Sequence, residues 1–492
     1  MKYFEKVLIA NRGEIAIRVM RACREMNIET IAIYSTVDKD ALHVKYADGA
    51  FLVGEAPPAK SYLNVDRIID IARLSGSEAI HPGYGFLAEN YSFAKRCTDE
   101  GITFIGPSWK TIQAMGSKIE SKQTMRDAGV PVVPGSPGSV KSAADAHKVA
   151  AEIGYPVIVK ASAGGGGIGM QIVGKEEALD EAINAGMRMA ESAFGDSTVF
   201  IEKYLGKPRH IEFQVLADEH GNVVHLYDRE CSIQRRHQKL VEEAPCPIMT
   251  PELRERMAQS AITVAQASDY WNAGTVEFLY ADGDYYFMEM NTRLQVEHTV
   301  TELITGIDIV KQQLAVAAGE TLPFEQDEIS IRGHAIECRI NAEDPLNNFA
   351  ADPGKILRYR SPGGPGMRVD SGIHMGYTIP AVYDSMIAKL CSWGMNRQEA
   401  IARMRRAIYE YVIIGVKTTL PFHHAVMHNK HFINGDTHTH FLQEGHIQKT
   451  LARYVREEEK RMQTLAASLR HGKEIAAITG AISAYIQSQK EE

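Results

Sequence analysis

Apolar and polar positions alternate most clearly between Met288 and His298. Glu289, Asn291, Arg293, Gln295 and Glu297 take every second position, and most positions between them are apolar. That is the period of a strand with one apolar face. The other face carries two carboxylates, two amides and a guanidinium, a set suited to an anion and a hard cation; a solvated edge strand is the plainer alternative. Same-face neighbours on a strand lie roughly 6.6 Å apart, so Glu289 and Glu297 would be about 26 Å apart if extended, too far for one small-molecule site. The strand is therefore expected to end near Asn291 or Thr292, with the following loop returning Arg293 to Glu297 over the site.

The same reading divides the rest of the chain. Residues 1 to about 115 alternate strand patterns (Val7–Ala10, Thr30–Tyr34, Ala79–Ile80, Thr103–Ile105) with helix patterns (Glu14–Arg24, Val65–Leu74). This predicts a doubly wound α/β unit on a parallel sheet. Its first strand-to-helix turn, Asn11 to Glu14, is where ligands often bind. The single Gly13 there does not make a G-x-G-x-x-G, which weakens an NAD-linked dehydrogenase reading. Val130 to Gly135 reads as a linker or turn. The helix Ala143–Ile153 and the strand Pro156–Lys160 follow, and residues 131 to about 205 are predicted to form a small α+β unit. From about 206 to 300 strands dominate: Ile211–Ala217, Val223–Asp228, Thr275–Tyr280 and Tyr285–Asn291. Asp282-Gly283 closes the last two into a hairpin. After about residue 446, Leu451, Val455, Met462, Leu465 and Leu469 mark a helix and Gly472 a stop. Ile475, Ile478, Ile482 and Ile486 form a stripe on a second helix. A helical pair packed on the main body is expected, with a partner-docking element as the alternative.

Composition narrows the class. A chain of 492 residues accommodates two to four domains, and 45% hydrophobic with 24% charged residues is ordinary for a soluble globular protein. A net charge of −8 argues against nucleic acid as a partner. No apolar run approaches the roughly 20 residues that span a bilayer, so no membrane partner is expected. The N-terminus enters a strand almost at once, without the pattern of a signal peptide. The cysteines at 23, 97, 231, 246, 338 and 391 form no C-x-x-C and suggest no disulfide framework. A cytoplasmic location is expected.

Candidate chemistry lies in four further segments. The run Gly164 to Gly169 lacks the Gly-Lys-Ser/Thr close of a Walker A loop and joins two strands. Successive glycines let backbone N–H groups approach phosphate oxygens, so a hinged cover over a nucleotide fits, with a hairpin loop as the alternative. Lys160 precedes it as a phosphate partner. Glu277, on the strand before the hairpin, should converge with Glu289 and Asn291 on the returning strand. Oxygen donors of this kind suit Mg²⁺ or Mn²⁺ better than Zn²⁺. A glycosidase carboxylate pair is the alternative, opposed by the glycine cover and the lysines. Cys231 to Lys239 offers Arg235, Arg236, His237 and Lys239, either to grip phosphate or a small oxyanion or as a solvated basic loop. His81 to Leu87 reads as a ligand-facing loop. His424 and His428 have a helical spacing that could ligate zinc, but no H-E-x-x-H or cysteine accompanies them.

Taken together, Ile9 to Ala16, His81 to Leu87, the glycine run, Glu202 to Leu205, Pro208 to Glu212, Arg235 to Lys239, Met288 to Glu302 and Asp384 to Lys389 resemble the biotin carboxylases. These are ATP-grasp enzymes of the biotin-dependent carboxylase family, and the resemblance runs from the first strand to about residue 446. It implies an α/β and α+β chain of ATP-grasp architecture. The domains would be a Rossmann-like N-terminal domain at 1–115, an ATP-grasp domain at 116–330 with a small lid at about 131–205, a mixed C-terminal domain at 331–446 and a helical tail at 447–492.

The resemblance also implies the reaction and its residues. ATP and bicarbonate would form carboxyphosphate, and the carboxyl group would pass to N1′ of biotin. Lys118 and Lys160 would contact phosphates under the loop of Gly165, Gly166, Gly167 and Met170. Glu202, Lys203 and Leu205 would hold adenine, with His210 and His237 nearby on the nucleotide. Glu277, Glu289 and Asn291 would bind Mg²⁺ or Mn²⁺. Lys239, Arg293, Gln295 and the backbone of Val296 would hold bicarbonate, and Glu297 would be its base. Arg339 would stabilise the biotin enolate, with Tyr84 bordering the biotin pocket. The family has Arg where this glycine run has Ile168, so the cover lacks one cation. The chain has no Ala-Met-Lys-Met and no room for a carboxyltransferase. Biotin would therefore ride on a partner, a biotin carboxyl carrier protein or a biotin-bearing carboxyltransferase subunit, and the enzyme itself would be a homodimer. The tail resembles that of two-subunit pyruvate carboxylases; acetyl-CoA and propionyl-CoA carboxylases are the alternatives. A non-catalytic subunit that only binds nucleotide is a competing reading.

Overall fold

The computed structural model describes residues 3–136, 138, 140, 142–161, 171–194, 198–445, 447–448, 450–465 and 467. The chain opens on a five-stranded parallel sheet in the order Gly49–Gly54, Glu29–Ser35, Lys6–Ile9, Ala79–His81, Thr103–Phe104. Lys6–Ile9 lies in the middle, which is why Val7, Leu8 and Ile9 are all fully buried. The edge strand Gly49–Gly54 is absent from the pattern-based reading. As an edge it buries only Val53 outright, so its sequence carries little of the apolar signal of a central strand.

A small three-stranded antiparallel sheet follows, in the order Gln171–Val173, Val157–Ala161, Val199–Lys203. The helices Ala143–Ile153 and Leu179–Phe194 cover it and close a core of its own around Val157, Val159, Val199 and Ile201.

The main body is an eight-stranded antiparallel sheet. Its order is Asp284–Asn291, Asn272–Ala281, Arg209–Ala217, Val223–Arg235, Gln238–Ala244, His334–Asn341, Met386–Gly394, Met367–Ser371. It crosses residue 330 without a break, because Gln238–Ala244 pairs with His334–Asn341 in the register Val241↔Cys338. Residues before and after 330 therefore build one continuous surface. Arg236 and His237 both have positive φ (49° and 66°) between the paired Arg235 and Gln238. That is a two-residue hairpin turn matched to the twist of the strands. The donor-rich segment is thus two strand ends and a turn, not a loop following a strand.

The helix at 450–465 buries Leu451, Tyr454 and Val455 in the same core as Phe422 and Val426. The Tyr454 ring lies tilted 4.3 Å from His424 and 5.7 Å from His428, so these two histidines pack against the tail. Leu469 and the isoleucine stripe lie outside the described residues. Each buried apolar side chain contributes about 1.5–3 kcal/mol. Cutting the chain after residue 446 should therefore lower Tm clearly as well as removing any docking role. An unchanged Tm in thermal unfolding would show that the helix is not part of the core.

Candidate functional site

The hairpin register sets the site. Glu277 stands directly opposite Glu289 on one side and Glu212 on the other, so three carboxylates share one face of three adjacent strands. His210 lies two residues before Glu212 on that face, and its Nε2 is 3.0 Å from Glu277. The strand ends at Asn291, the chain turns, and Glu297 directly precedes the helix His298–Thr305. Lys239 then ties the two ends together: its Nζ lies 2.5 Å from Glu212, 2.8 Å from Glu277 and 2.6 Å from Glu297. The turn has removed the separation an extended strand would impose, and Glu277 and Glu297 grip one ammonium.

All of these groups except Glu212, which lies beneath, line a cleft of about 890 Å³. Its walls come from the small sheet (Ile158, Lys160, Glu202), the long sheet (His210, Glu277, Glu289) and the N-terminal unit (Asn11, Glu14, Tyr84). Leu205, His237, Asn291, Arg293, Gln295, Val296 and Arg339 also line it. Arg235 and Arg236 do not: Arg235 turns to Glu343 at 3.8 Å and stacks over Phe349 at 4.7 Å.

Glu277 is heavily held. Besides Lys239 and His210, it accepts from Asn291 Nδ2 at 2.9 Å and Gln295 Nε2 at 2.6 Å. Burial alone would raise its carboxyl, but Lys239 and His210 hold it well below the ordinary range. Burial would lower His210, yet Glu277 pushes it up to about 9. Glu297 shares its carboxylate between Lys239 on Oε1 and Arg339, 2.9 Å from Oε2. Burial opposes its charge; Lys239, Arg339 and Arg229 outweigh burial and keep it below the ordinary carboxylate value. Arg339 also donates from Nε to Glu242 at 2.6 Å. Burial pushes Glu242 up to about 8, against the pull of Arg339.

Beneath this face lies Arg229, fully buried. It donates to Glu212 (2.5 Å), Gln214 (2.8 Å), Thr301 (2.9 Å), Thr275 (3.0 Å) and Gln295 (3.0 Å). This guanidinium fixes Glu212 and Gln295 from below. A lone Arg within a strand pattern gives no sign of that role. Arg293 donates to Glu89 at 2.9 Å and to Asn291 Oδ1 at 2.9 Å. Glu89 is a second partner that the sequence does not suggest.

At the other end of the cleft, Glu202 receives Lys160 at 2.6 Å and also Lys122. Lys122 belongs to no motif, although it lies four residues after Lys118 in the helix Lys118–Asp127, where i and i+4 side chains share a face. The side chain of Lys118 lies outside the described residues, as does the glycine run with Gly165, Gly166, Gly167, Ile168 and Met170. Lys203 departs from a purely adenine-facing role: its ammonium donates to the carbonyls of Gly154 and Tyr155, each at 3.1 Å, and ties its strand to the end of a helix. Ile158, Leu205, Leu279 and Met288 supply apolar wall suited to a flat ring.

The Glu202 pair has a pH signature. Burial opposes its charge, but Lys160 and Lys122 lower it from 4.5 to about 2. A carboxyl lowered on folding adds stability that is complete above its unfolded value and is lost as pH falls through the folded one. Glu202→Gln should therefore destabilise the protein at pH 7 and lose less stability than the parent between about pH 4.5 and 2. Denaturant titrations across that window read the difference, and parallel curves would refute the pairing.

The carboxylates of Glu277 and Glu289 offer oxygen ligands that fit a hard divalent cation, whereas Asn291 here turns its Nδ2 to Glu277 and its Oδ1 to Arg293. His210, Glu212 and Glu277 also bring ligand atoms within 4.8 Å of one another. Because Lys239 already sits against Glu277, an ion arriving there would compete with that ammonium.

Comparison with known proteins agrees along the whole chain. Residues 3–112 match the family described as biotin carboxylase, N-terminal domain. Residues 117–325 match carbamoyl-phosphate synthase L chain, ATP binding domain, and 337–444 match biotin carboxylase C-terminal domain. A pyruvate carboxylase subunit of Methanothermobacter thermautotrophicus is 59% identical over 489 residues, covering 99% of this chain and 100% of the relative. Biotin carboxylase 1 of Bacillus subtilis is 53% identical over 441 residues, 89% of this chain and 98% of its own. The crystal structure of the biotin carboxylase domain dimer of Hydrogenobacter thermophilus 2-oxoglutarate carboxylase, in complex with MgADP, ADP and bicarbonate, superposes with a TM-score of 0.84. It is 52% identical to this chain and covers 90% of it and 98% of itself. The expected ATP-grasp architecture, with its parallel N-terminal sheet and mixed remainder, stands.

Proposed function

The chain belongs to the biotin carboxylase family, and from that premise we propose how its cleft works as an ATP-dependent ligase that carboxylates biotin carried on a partner protein. The observation that carries the reading is Glu297, an ionised carboxylate clamped between Lys239 and Arg339 beside the acidic face of Glu277 and Glu289.

Bicarbonate is a poor nucleophile until its proton is removed, which calls for a positioned carboxylate and a cationic cradle. Glu297 takes that proton, while Lys239, Arg293, Gln295 and the Val296 backbone hold the anion. Lys118, Lys160 and Lys122 meet phosphate oxygens. Glu202, Leu205 and the backbone of Lys203, whose ammonium is held by Gly154 and Tyr155, hold adenine, with His210 and His237 alongside. Mg²⁺ or Mn²⁺ at Glu277, Glu289 and Asn291 supplies charge for phosphoryl transfer. Arg339 then faces the oxygen of the biotin ureido group, where negative charge develops, and Tyr84 borders that pocket. A guanidinium suits this task because it stays charged throughout.

The finer reading is the biotin carboxylase component of a two-subunit pyruvate carboxylase. Its support is the tail: the Methanothermobacter relative aligns over 99% of this chain, whereas the Bacillus relative stops at 89%. A homodimer in the cytoplasm, working with a biotin-bearing carboxyltransferase subunit, completes the proposal. Acetyl-CoA and propionyl-CoA carboxylases would use the same half-reaction. Purified protein should release ADP from ATP only when both bicarbonate and free biotin are present. ADP release indifferent to bicarbonate would reject the activity. Labelled bicarbonate appearing in oxaloacetate with the co-purifying biotinylated protein, rather than in malonyl-CoA or methylmalonyl-CoA, decides the acceptor.

A further inference from the structure

The strand register places Lys389 directly opposite Arg339, so the two cations stand side by side on one face of the sheet. Arg339 holds the Glu297 carboxylate. Lys389, with no exposed surface, donates at 3.0 Å to the carbonyl of Val296, which belongs to the peptide bond leading into Glu297. The same ammonium lies 3.3 Å from Glu14 and 5.7 Å from the centre of the Tyr84 ring, both in the cleft wall. Among the described residues Glu14 finds no hydrogen-bond partner for either carboxylate oxygen, so that ion pair is its main polar contact. Lys389 therefore joins three parts of the chain at one peptide: the first helix, the returning loop and the late strand.

Such burial is unfavourable for an ammonium unless several acceptors surround it. Burial lowers Lys389, but Glu14, Glu337 and Asp370 outweigh it and keep the group charged. A plain packing role does not require a cation here; a neutral chain of similar length would fill the space and leave no charge to balance.

We propose that Lys389 is a positioning residue for the base: it fixes the Val296–Glu297 peptide so that the Glu297 carboxylate and the Val296 backbone meet bicarbonate together. It touches no reacting atom and acts only through that carbonyl. The idea rests on the biotin carboxylase reading and makes it more specific. Misplacing a reacting group by about 1 Å is enough to lower a rate on the order of 100-fold.

Two variants test it. Lys389→Met is combined with Glu14→Gln, because burial already pushes the Glu14 carboxyl up to about 7 and the second change removes whatever charge it would keep without the ammonium. Lys389→Arg keeps the charge but presents a planar fork in place of one ammonium. In both, Tm and the Kd for MgATP by calorimetry should stay near the parent's. Bicarbonate-dependent ADP release should fall about 100-fold in the double variant and at least about tenfold in Lys389→Arg, with a raised KM for bicarbonate. Parental turnover in either folded variant overturns the proposal, and so does loss of MgATP binding in step with turnover, which marks general damage. Absence of bicarbonate-dependent turnover in the parent protein would instead reject the underlying activity.

Discussion

Glu297→Gln should lower bicarbonate-dependent ADP release by about 10²–10⁴-fold while MgATP binds with an unchanged Kd. The substitution keeps the shape of the side chain and removes its ability to take a proton. Lys239 retains Glu212 at 2.5 Å and Glu277 at 2.8 Å, so the acidic face stays assembled. The base also has a pH signature. Burial raises the Glu297 carboxyl, but Lys239, Arg339 and Arg229 bring it below its ordinary 4.5. Glu297 is thus ionised across the neutral range, and its protonation should not limit kcat/KM for bicarbonate above about pH 4.5. In the free protein this clamp also makes Glu297 a weak base. Bicarbonate drawing Lys239 toward itself would return basicity when the substrate is in place. Retention of parental turnover in Glu297→Gln would remove this residue from the chemistry.

Much of that site is legible from the sequence because its parts are local. Asp282-Gly283 fixes the hairpin, and the hairpin fixes Glu277 opposite Glu289. The bend after Asn291 follows from chain length alone. What is not legible depends on strands far apart in the sequence finding one another. Glu212 joins the acidic face only because its strand lies beside Asn272–Ala281. Arg339 meets Glu242 across 97 residues, Lys389 meets Val296 across 93, and Lys122 meets Glu202 across 80. No local period encodes those pairings. Side-chain direction is equally hidden. Lys203 and Arg235 sit in the right segments, yet one ties down a helix end and the other stacks on Phe349. The continuity of the long sheet past residue 330 has the same origin, since it rests on His334–Asn341 pairing with Gln238–Ala244.

Arg339→Met should lower biotin carboxylation about 10²–10³-fold, the usual effect of deleting one donor from an oxyanion site. The fold should survive better than for most buried arginines. Its partner Glu242 already lies at about 8 through burial, so without the guanidinium it remains protonated at neutral pH and leaves no bare charge. Glu297 keeps Lys239 at 2.6 Å and so remains anchored. The loss should therefore fall on the biotin step. With saturating bicarbonate and ATP, kcat for biotin drops, whereas the Kd for MgATP does not move. Arg339→Lys should not rescue it. A guanidinium reaches Glu242 at 2.6 Å and Glu297 at 2.9 Å at once, through Nε and a terminal nitrogen in one plane. An ammonium on a flexible stem lacks the fixed planar fork that holds both carboxylates while facing the ureido oxygen. Turnover of Arg339→Lys within a few-fold of the parent would mean that charge alone suffices there, and that the fork held by Glu242 has no part in catalysis.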